Sequence, residues 1–375
     1  MHPHDAFMQR ALALARQSIG LCEPNPRVGC VLVSADGGTV LGEGHTQPAG
    51  QAHAEIMALR DAAAQGHSVT GATAYVSLEP CSHHGRTGPC CDALLAAGVG
   101  RVVAALPDPN PMVAGEGFAR LRAGGVEVIV GPGAEEAREL NIGFFSRMLR
   151  GTPWVRMKIA ASLDGRTALE NGASQWITSA EARADGHAWR ARAGAVLTGI
   201  GTVRDDNPRL DVRAVATPRQ PDVVVVDSRL ETPPDAKLFQ AGRRLFVYAA
   251  VQDARREAAL AARGAEVVLL PGPGGKVDLP ALLRSLAARG VNELHVEAGH
   301  KLNGSLVREG LVDELLVYLA PKLIGLGREM AQFGPLAELT GALPLEFMSS
   351  ERVGPDLRVV ARVAGRDRFA AVRPS

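Results

Sequence analysis

Four residues in the first quarter of the chain have the types and spacing of metal-assisted hydrolysis. His53-Ala54-Glu55 opens a helical pattern, Pro80-Cys81 follows a strand pattern, and Cys90 follows Pro89 at the start of the next helical pattern. One imidazole and two thiolates suit Zn2+, one ion per chain. Three protein ligands leave a tetrahedral position for water, which is the arrangement of a catalytic rather than a structural zinc. A helix N-terminus favours the thiolate form of Cys90. Glu55, two residues beyond His53, can face that water without ligating the metal. It would take the water's proton, pass it to a ring nitrogen and then to a departing amine. Cys91 could close the site as a fourth ligand, but neighbouring helix residues point about 100° apart. His-x-Glu followed by Pro-Cys and a second Cys is the pattern of zinc nucleobase deaminases. The usual pattern has two residues between its cysteines, whereas here eight separate Cys81 from Cys90.

A second set of residues begins near position 153. It comprises Lys158, Asp164, Ser174-Gln-Trp176, Gly199-Ile-Gly201-Thr202, Asp206-Asn-Pro, Asp227-Ser228 and Glu297-Ala-Gly299. The Gly199-x-Gly201 pair lacks the third glycine of a dinucleotide fingerprint, because position 204 is Arg. The stretch from Glu297 to Gly304 follows a strand and opens a helix, a place where backbone N–H groups can hold a pyrophosphate. From the residues alone, plain turn chemistry explains these glycines equally well.

The elements that position these residues alternate. Asp5–Ser18, Ala52–Gln65, Pro89–Ala97 and Gly115–Ala123 read as helices. Val28–Val33, Val40–Glu43, Ala74–Leu78, Arg101–Leu106 and Val126–Val130 read as strands. A single helix is expected over Glu135–Arg150, followed by the punctuation Gly151-Thr152-Pro153. Beyond it, strands are expected at Val155–Ala160, Ala195–Thr198, Val223–Asp227, Leu245–Ala249, Val267–Leu270, Leu294–Glu297, Glu314–Leu319 and Leu357–Val363. Helices are expected at Ala180–Ala191, Arg255–Arg263, Leu279–Arg289 and Leu302–Glu309. Both segments therefore read as α/β, with parallel or mixed sheets covered by helices.

The 375 residues are 46% hydrophobic and 22% charged, a globular composition long enough for two cores. With 41 basic and 40 acidic residues, the net charge of +1 gives no generic attraction to nucleic acid or an anionic membrane. A nucleic-acid-modifying deaminase is disfavoured for that reason and for the scarcity of aromatic stacking residues. No apolar run approaches the roughly 18 residues of a membrane span, and the N-terminus carries no signal-peptide pattern. Cys22, Cys30, Cys81, Cys90 and Cys91 cluster around a local site instead of spacing a disulfide framework. That usage points to the cytoplasm.

The segment from Glu79-Pro-Cys to Gly88-Pro-Cys90, with Asn25-Pro-Arg-Val-Gly29 upstream, resembles the riboflavin-biosynthesis deaminase family, commonly fused to a C-terminal reductase. The resemblance implies a cytidine-deaminase-like α/β/α deaminase domain over residues 1–146. A dihydrofolate-reductase-like α/β domain is implied over 147–375, with a mainly parallel sheet and an antiparallel C-terminal edge. It implies Zn2+ on His53, Cys81 and Cys90, with Glu55 as proton shuttle and Asn25 on the pyrimidine. His45, His83, His84 and Arg86 are candidate substrate contacts. In the reductase it assigns NADPH to Trp176, Thr202, Asp206, Ser228, Gly299, His300, Lys301, Leu302, Asn303, Gly304 and Ser305. It assigns the phosphoribosylated pyrimidine to Ala160, Ser174, Arg190, Leu210, Arg213 and Glu297. Arg190 and Arg213 are the expected phosphate clamps, and Arg229 is a candidate for the cofactor's 2′-phosphate. Lys158 and Asp164 are candidates for the proton donor. A homo-oligomer, dimer or tetramer, is expected.

Overall fold

A computed structural model describes residues 4–83, 88–111 and 114–369. The chain divides into two compact units between Gly151 and Thr152, with Phe369 grouped in the first.

The first unit runs α1 (Asp5–Arg16), β1 (Gly29–Val33), β2 (Val40–His45), α2 (Ala54–Ala64), β3 (Thr73–Val76), α3 (Cys90–Ala96), β4 (Arg101–Ala104), α4 (Glu116–Ala123), β5 (Glu127–Val130), α5 (Ala134–Leu140) and α6 (Ile142–Arg150). Its sheet has the order β2-β1-β3-β4-β5, antiparallel across the first three strands and parallel across the last three. Helices lie on both faces, and glycines permit the close approach. A Cβ on Gly29 would sit 1.9 Å from the Ala11 carbonyl of α1. Gly44 pairs with Cys30, the next residue along β1, and so faces the opposite side. A Cβ there would sit 2.5 Å from the α2 backbone. Leu12, Leu32, Leu94 and Leu121 are fully buried between the layers.

The single helix expected over 135–150 is two helices. Asn141 breaks it, with φ −109° and ψ 17°. Its side chain serves another segment instead: Oδ1 accepts from Arg27 N at 2.7 Å, and Nδ2 donates to Arg27 O at 2.9 Å. That pair fastens the Asn25-Pro26-Arg27 loop. The division expected at 146/147 falls inside α6, which ends at Gly151 in the left-handed region at φ 68°.

The second unit runs β6 (Trp154–Ser162), β7 (Arg166–Leu169), α7 (Ala180–Arg192), β8 (Ala195–Gly199), α8 (Ile200–Asp206), β9 (Asp222–Val226), β10 (Leu245–Ala249), α9 (Ala254–Ala261), β11 (Ala265–Leu269), α10 (Leu279–Ala288), β12 (Glu293–Val296), α11 (His300–Arg308), β13 (Glu314–Ala320), β14 (Gly327–Glu329), β15 (Leu345–Val353) and β16 (Asp356–Val363). Nine strands form one sheet in the order β11-β10-β9-β8-β12-β6-β13-β16-β15. The first seven are parallel and the last two antiparallel. Met157, Leu197, Val224, Leu286 and Leu294 lie in its core. A small antiparallel ribbon pairs β7 with β14.

Sequence pattern did not reveal β7, β14, β15 or α8. The ribbon strands are short, and α8 spans under two turns. β15 has no buried face to impose alternation: seven of its nine side chains are exposed and none is buried. No helix among the described residues is long and apolar enough to cross a membrane.

Candidate active sites

In the first unit, two helix starts converge on the end of β3. His53 is the N-cap of α2, Cys90 is the first residue of α3, and Cys81 lies beyond β3. The His53 Nδ1 atom lies 3.5 Å from Cys81 Sγ and 3.4 Å from Cys90 Sγ. These three form the one such metal-ligand cluster among the described residues, with all donor atoms within 4.8 Å of one another. Zinc bonds of about 2.3 Å to sulfur and 2.05 Å to nitrogen, at tetrahedral angles, place those atoms about 3.6 Å apart. The donors therefore fit zinc. The Cys90 thiol and then His53 outweigh burial to bring the Cys81 thiol down to about 4, so a thiolate is at hand. Cys91 is fully buried outside the trio, and burial raises its thiol to about 11.

Glu55, on the first turn of α2, is only 3% exposed. Burial first, then the neighbouring Cys81, pushes its carboxyl up to about 7. A group poised there can both take and return a proton near neutral pH. Glu79 fixes the floor. Its carboxylate accepts from the N–H groups of Asp108 at 3.1 Å, Gly115 at 2.9 Å and Phe118 at 3.1 Å. It thereby anchors the Pro80-Cys81 turn to the start of α4.

A cavity of about 380 Å3 opens over this cluster, lined by Asn25, His53, Glu55, Cys81 and His83. His45 turns away from it, its ring facing Ser18 Oγ at 3.3 Å. His84 and Arg86 lie outside the described residues. Asp108 and Arg147 also line the cavity and were missed in the sequence. Burial raises the Asp108 carboxyl to about 7. Asp108 follows β4 in a loop and α6 supplies Arg147, so neither belongs to the local metal motif; the Asp108-Pro-Asn-Pro turn after a strand was the available signal.

The second unit holds a larger cavity, about 1620 Å3, over the C-terminal ends of its parallel strands. Such strand ends are where open α/β sheets take ligands. Trp176, Thr202, Asp206, Ser228, Gly299, His300, Lys301, Leu302, Asn303 and Ser305 line it, as do Ala160, Ser174, Arg190, Leu210, Arg213 and Glu297. Gly304 does not. A Cβ there would sit 1.8 Å from the Gln332 carbonyl, so tight backbone packing accounts for this glycine. The α11 helix begins at His300, two residues earlier than expected, and Gly299 gives it no side-chain cap. Its first-turn N–H groups therefore remain for an anion, with Gly201 opposite, where a Cβ would meet nothing within 4 Å. The residues fit a dinucleotide phosphate.

Lys158 lies 3.9 Å from Glu297 inside this cavity. Burial lowers its ammonium pKa, with Glu297 opposing. Burial alone would raise the Glu297 carboxyl; Arg190, His295 and Lys158 outweigh it and hold it well below the usual range. Asp164 is turned to another task. Its carboxylate accepts from Ser162 Oγ at 2.5 Å and Gly325 N at 2.7 Å, and it does not line the cavity. Arg213 faces the cavity and is 54% exposed, paired with Asp211 at 2.6 Å. Arg209, which the sequence reading passed over, pairs with the same carboxylate at 2.7 Å.

Comparison with known proteins places both units. Residues 1–106 match the model of the cytidine and deoxycytidylate deaminase zinc-binding region, and residues 153–359 match that of the RibD C-terminal domain. The chain is 45% identical to the riboflavin biosynthesis protein RibD of Escherichia coli, over 94% of this chain and 97% of that one. It is 39% identical to the Aquifex aeolicus protein of the same name, over 94% and 96%. A solved structure of Acinetobacter baumannii RibD superposes with a TM-score of 0.85 at 38% identity, covering 96% of this chain and 98% of the other. A Thermotoga maritima structure, described as a diaminohydroxyphosphoribosylaminopyrimidine deaminase/5-amino-6-(5-phosphoribosylamino)uracil reductase, superposes at 0.87 with 31% identity, covering 97% and 99%.

Proposed function

The chain belongs to the RibD family of riboflavin-biosynthesis proteins, and from that premise we propose which of its residues run the family's two reactions. The first unit deaminates 2,5-diamino-6-(5-phosphoribosylamino)pyrimidin-4-one. The second reduces the product, 5-amino-6-(5-phosphoribosylamino)uracil, to the ribityl compound with NADPH. The observation that carries this reading is the His53–Cys81–Cys90 triangle with the buried Glu55 beside it.

His53, Cys81 and Cys90 hold one zinc, which supplies a water ionisable at about neutral pH. Glu55 takes one proton of the attacking water and gives it to the ring nitrogen, then carries the proton of the newly formed hydroxyl to the amine, which leaves as ammonia as the carbonyl forms. Asn25 orients the pyrimidine, and the loop pinned by Asn141 keeps it in place.

In the second unit, the uncapped first turn of α11 holds the cofactor's pyrophosphate, and NADPH supplies the hydride. Lys158 protonates the ribose ring oxygen as the nitrogen lone pair expels it from C1′, leaving C1′ as the electrophilic carbon of an iminium ion, which the hydride converts to the amine. Glu297 stays a carboxylate and keeps Lys158 protonated. Arg213 and Arg209 turn from Asp211 to the substrate phosphate, and the remaining hydrogen on Arg190 Nη2 adds a contact.

The assembly is a homo-oligomer. In support, Phe347 on the outer edge strand β15 is 80% exposed, and Leu345 and Met348 on the same strand are exposed too. The enzyme works in the cytoplasm, in keeping with its five free cysteines.

The test is metal analysis with both half-reactions on one preparation. Ammonia release should require zinc and be indifferent to NADPH. NADPH oxidation should require the deaminated substrate. NADPH oxidation on the undeaminated pyrimidine at an equal rate would overturn the assignment of order.

A further inference from the structure

Resting on the reading of the second unit as a nicotinamide site, we propose that Lys276 is the residue by which it tells a dinucleotide carrying a 2′-phosphate from one without it. Arg229, the candidate suggested by its place beside Ser228, is exposed and does not line the cavity. A segment from further along the chain occupies that end instead. Between β11 and α10 the chain turns back on itself. Pro271 bridges Val277, Gly272 N donates to Lys276 O at 2.7 Å, and Asp278 N donates to Leu270 O at 3.0 Å. Gly274 and Gly275, both at φ 66°, take the left-handed turn that closes this loop. The loop is then fastened to the end of β9, because Val277 N donates to Ser228 Oγ at 3.2 Å. Lys276 is thereby carried to the rim of the cavity next to Ser228, and both line it.

The sheet order says which part of a dinucleotide reaches this rim. Lys158 and Ala160 stand on β6, and α11 follows β12. Ser228 follows β9, three strands from β6 in the order β9-β8-β12-β6. At about 4.8 Å per strand that is roughly 14 Å from the hydride end. With the nicotinamide at Lys158 and the pyrophosphate at α11, the far ribose falls over β9. Lys276 makes no ion pair among the described residues, so its ammonium is available to an arriving anion. Arg308, also on this rim, is committed to Gln332 O at 2.6 Å and Ser305 Oγ at 3.1 Å. Lys301 is the competing cation, but it belongs to α11, beside the pyrophosphate rather than the far ribose. An ammonium serves here as a point charge, needing no fork geometry from an exposed loop.

The test is equilibrium binding of NADPH and NADH to the full-length chain, read from the fluorescence of the reduced nicotinamide in the absence of substrate. Lys276→Ala should weaken NADPH by about tenfold or more and NADH by less than about twofold, and Lys276→Arg should restore most of the difference. In competition, 2′,5′-ADP should lose affinity with the same variant while 5′-AMP does not. Equal weakening of NADPH and NADH would mean that Lys276 only supports the loop, and would overturn the proposal. Transfer of the selective loss to Lys301→Ala would overturn it too. Failure of the unsubstituted chain to bind either nucleotide would instead sink the nicotinamide reading itself, and this proposal with it.

Discussion

Arg190 closes its guanidinium fork on Glu297, with Nε on one carboxylate oxygen at 2.7 Å and Nη2 on the other at 3.0 Å. The same group donates from Nη1 to the Asp211 carbonyl and reaches His187 Nδ1 at 3.4 Å, so four of its five N–H groups are taken. One side chain on α7 therefore ties the end of β12 to the segment that carries Arg209 and Arg213. Its main work is to hold the site's other charges in place, and a single N–H is left for substrate. Arg190→Ala should destabilise the second unit by about 3 kcal/mol, because it removes the bidentate partner of a largely buried carboxylate and leaves it only the longer contacts to His295 at 3.5 Å and Lys158 at 3.9 Å. Reductase kcat/KM should fall at least about tenfold. The double variant with Glu297→Ala should regain stability but not activity. Denaturant unfolding of the three variants checks this, and a double variant no more stable than Arg190→Ala would show that the pair is not coupled.

Cys81→Ser and Cys90→Ser should each lose the zinc, and Cys91→Ser should keep it. Cys91 is buried outside the trio that His53 joins at 3.4 and 3.5 Å. Metal content by mass spectrometry decides. Zinc lost in the Cys91 variant would mean a closed four-ligand site.

The zinc site was legible because its chemistry needs fixed residue types within short stretches, and the helix starts that aim them carry their own local pattern. Lys158 and Glu297 were visible as letters but not as a pair, since β6 and β12 become neighbours only through sheet order. Arg190 read as a free phosphate ligand because its partner lies 107 residues away. Lys276 was passed over for Arg229, since a loop closure and not sequence adjacency brings it to Ser228. The edge strand β15 was invisible for a different reason: a strand exposed on both faces has no core to write alternation into its sequence.

Lys158 and Asp164 were both candidates for the reductase proton donor, and pH dependence separates them. A general acid works only while protonated, so the rate should fall as pH rises through its pKa. Burial sets the Lys158 value below the ordinary lysine value, so the alkaline limb should appear below that value. Lys158→Arg cannot lose its proton in this range, and any residual activity should lack that limb. Asp164→Asn should leave the limb where it is, since that carboxylate accepts from Ile324 N, Gly325 N and Ser162 rather than facing the cavity. Steady-state NADPH oxidation across the alkaline range is the measurement. An unmoved limb in Lys158→Arg would remove Lys158 from proton transfer.

Glu55→Gln separates the two activities. The amide keeps the size of the carboxylate but cannot shuttle a proton. Deamination should fall by roughly 10²–10⁴-fold. Zinc should stay, because Glu55 is not among the three ligands. The buried side chain should not lower stability, since a carboxyl already pushed up to about 7 by burial loses little when made permanently neutral. Reduction of pre-deaminated substrate should be unchanged, because the residues from Thr152 to Arg368 form their own compact unit around their own cavity. Ammonia release and NADPH oxidation measured on the same preparation give the answer. A parallel collapse of the reductase rate would mean that the two units do not act independently, and the assignment of one reaction to each would fail.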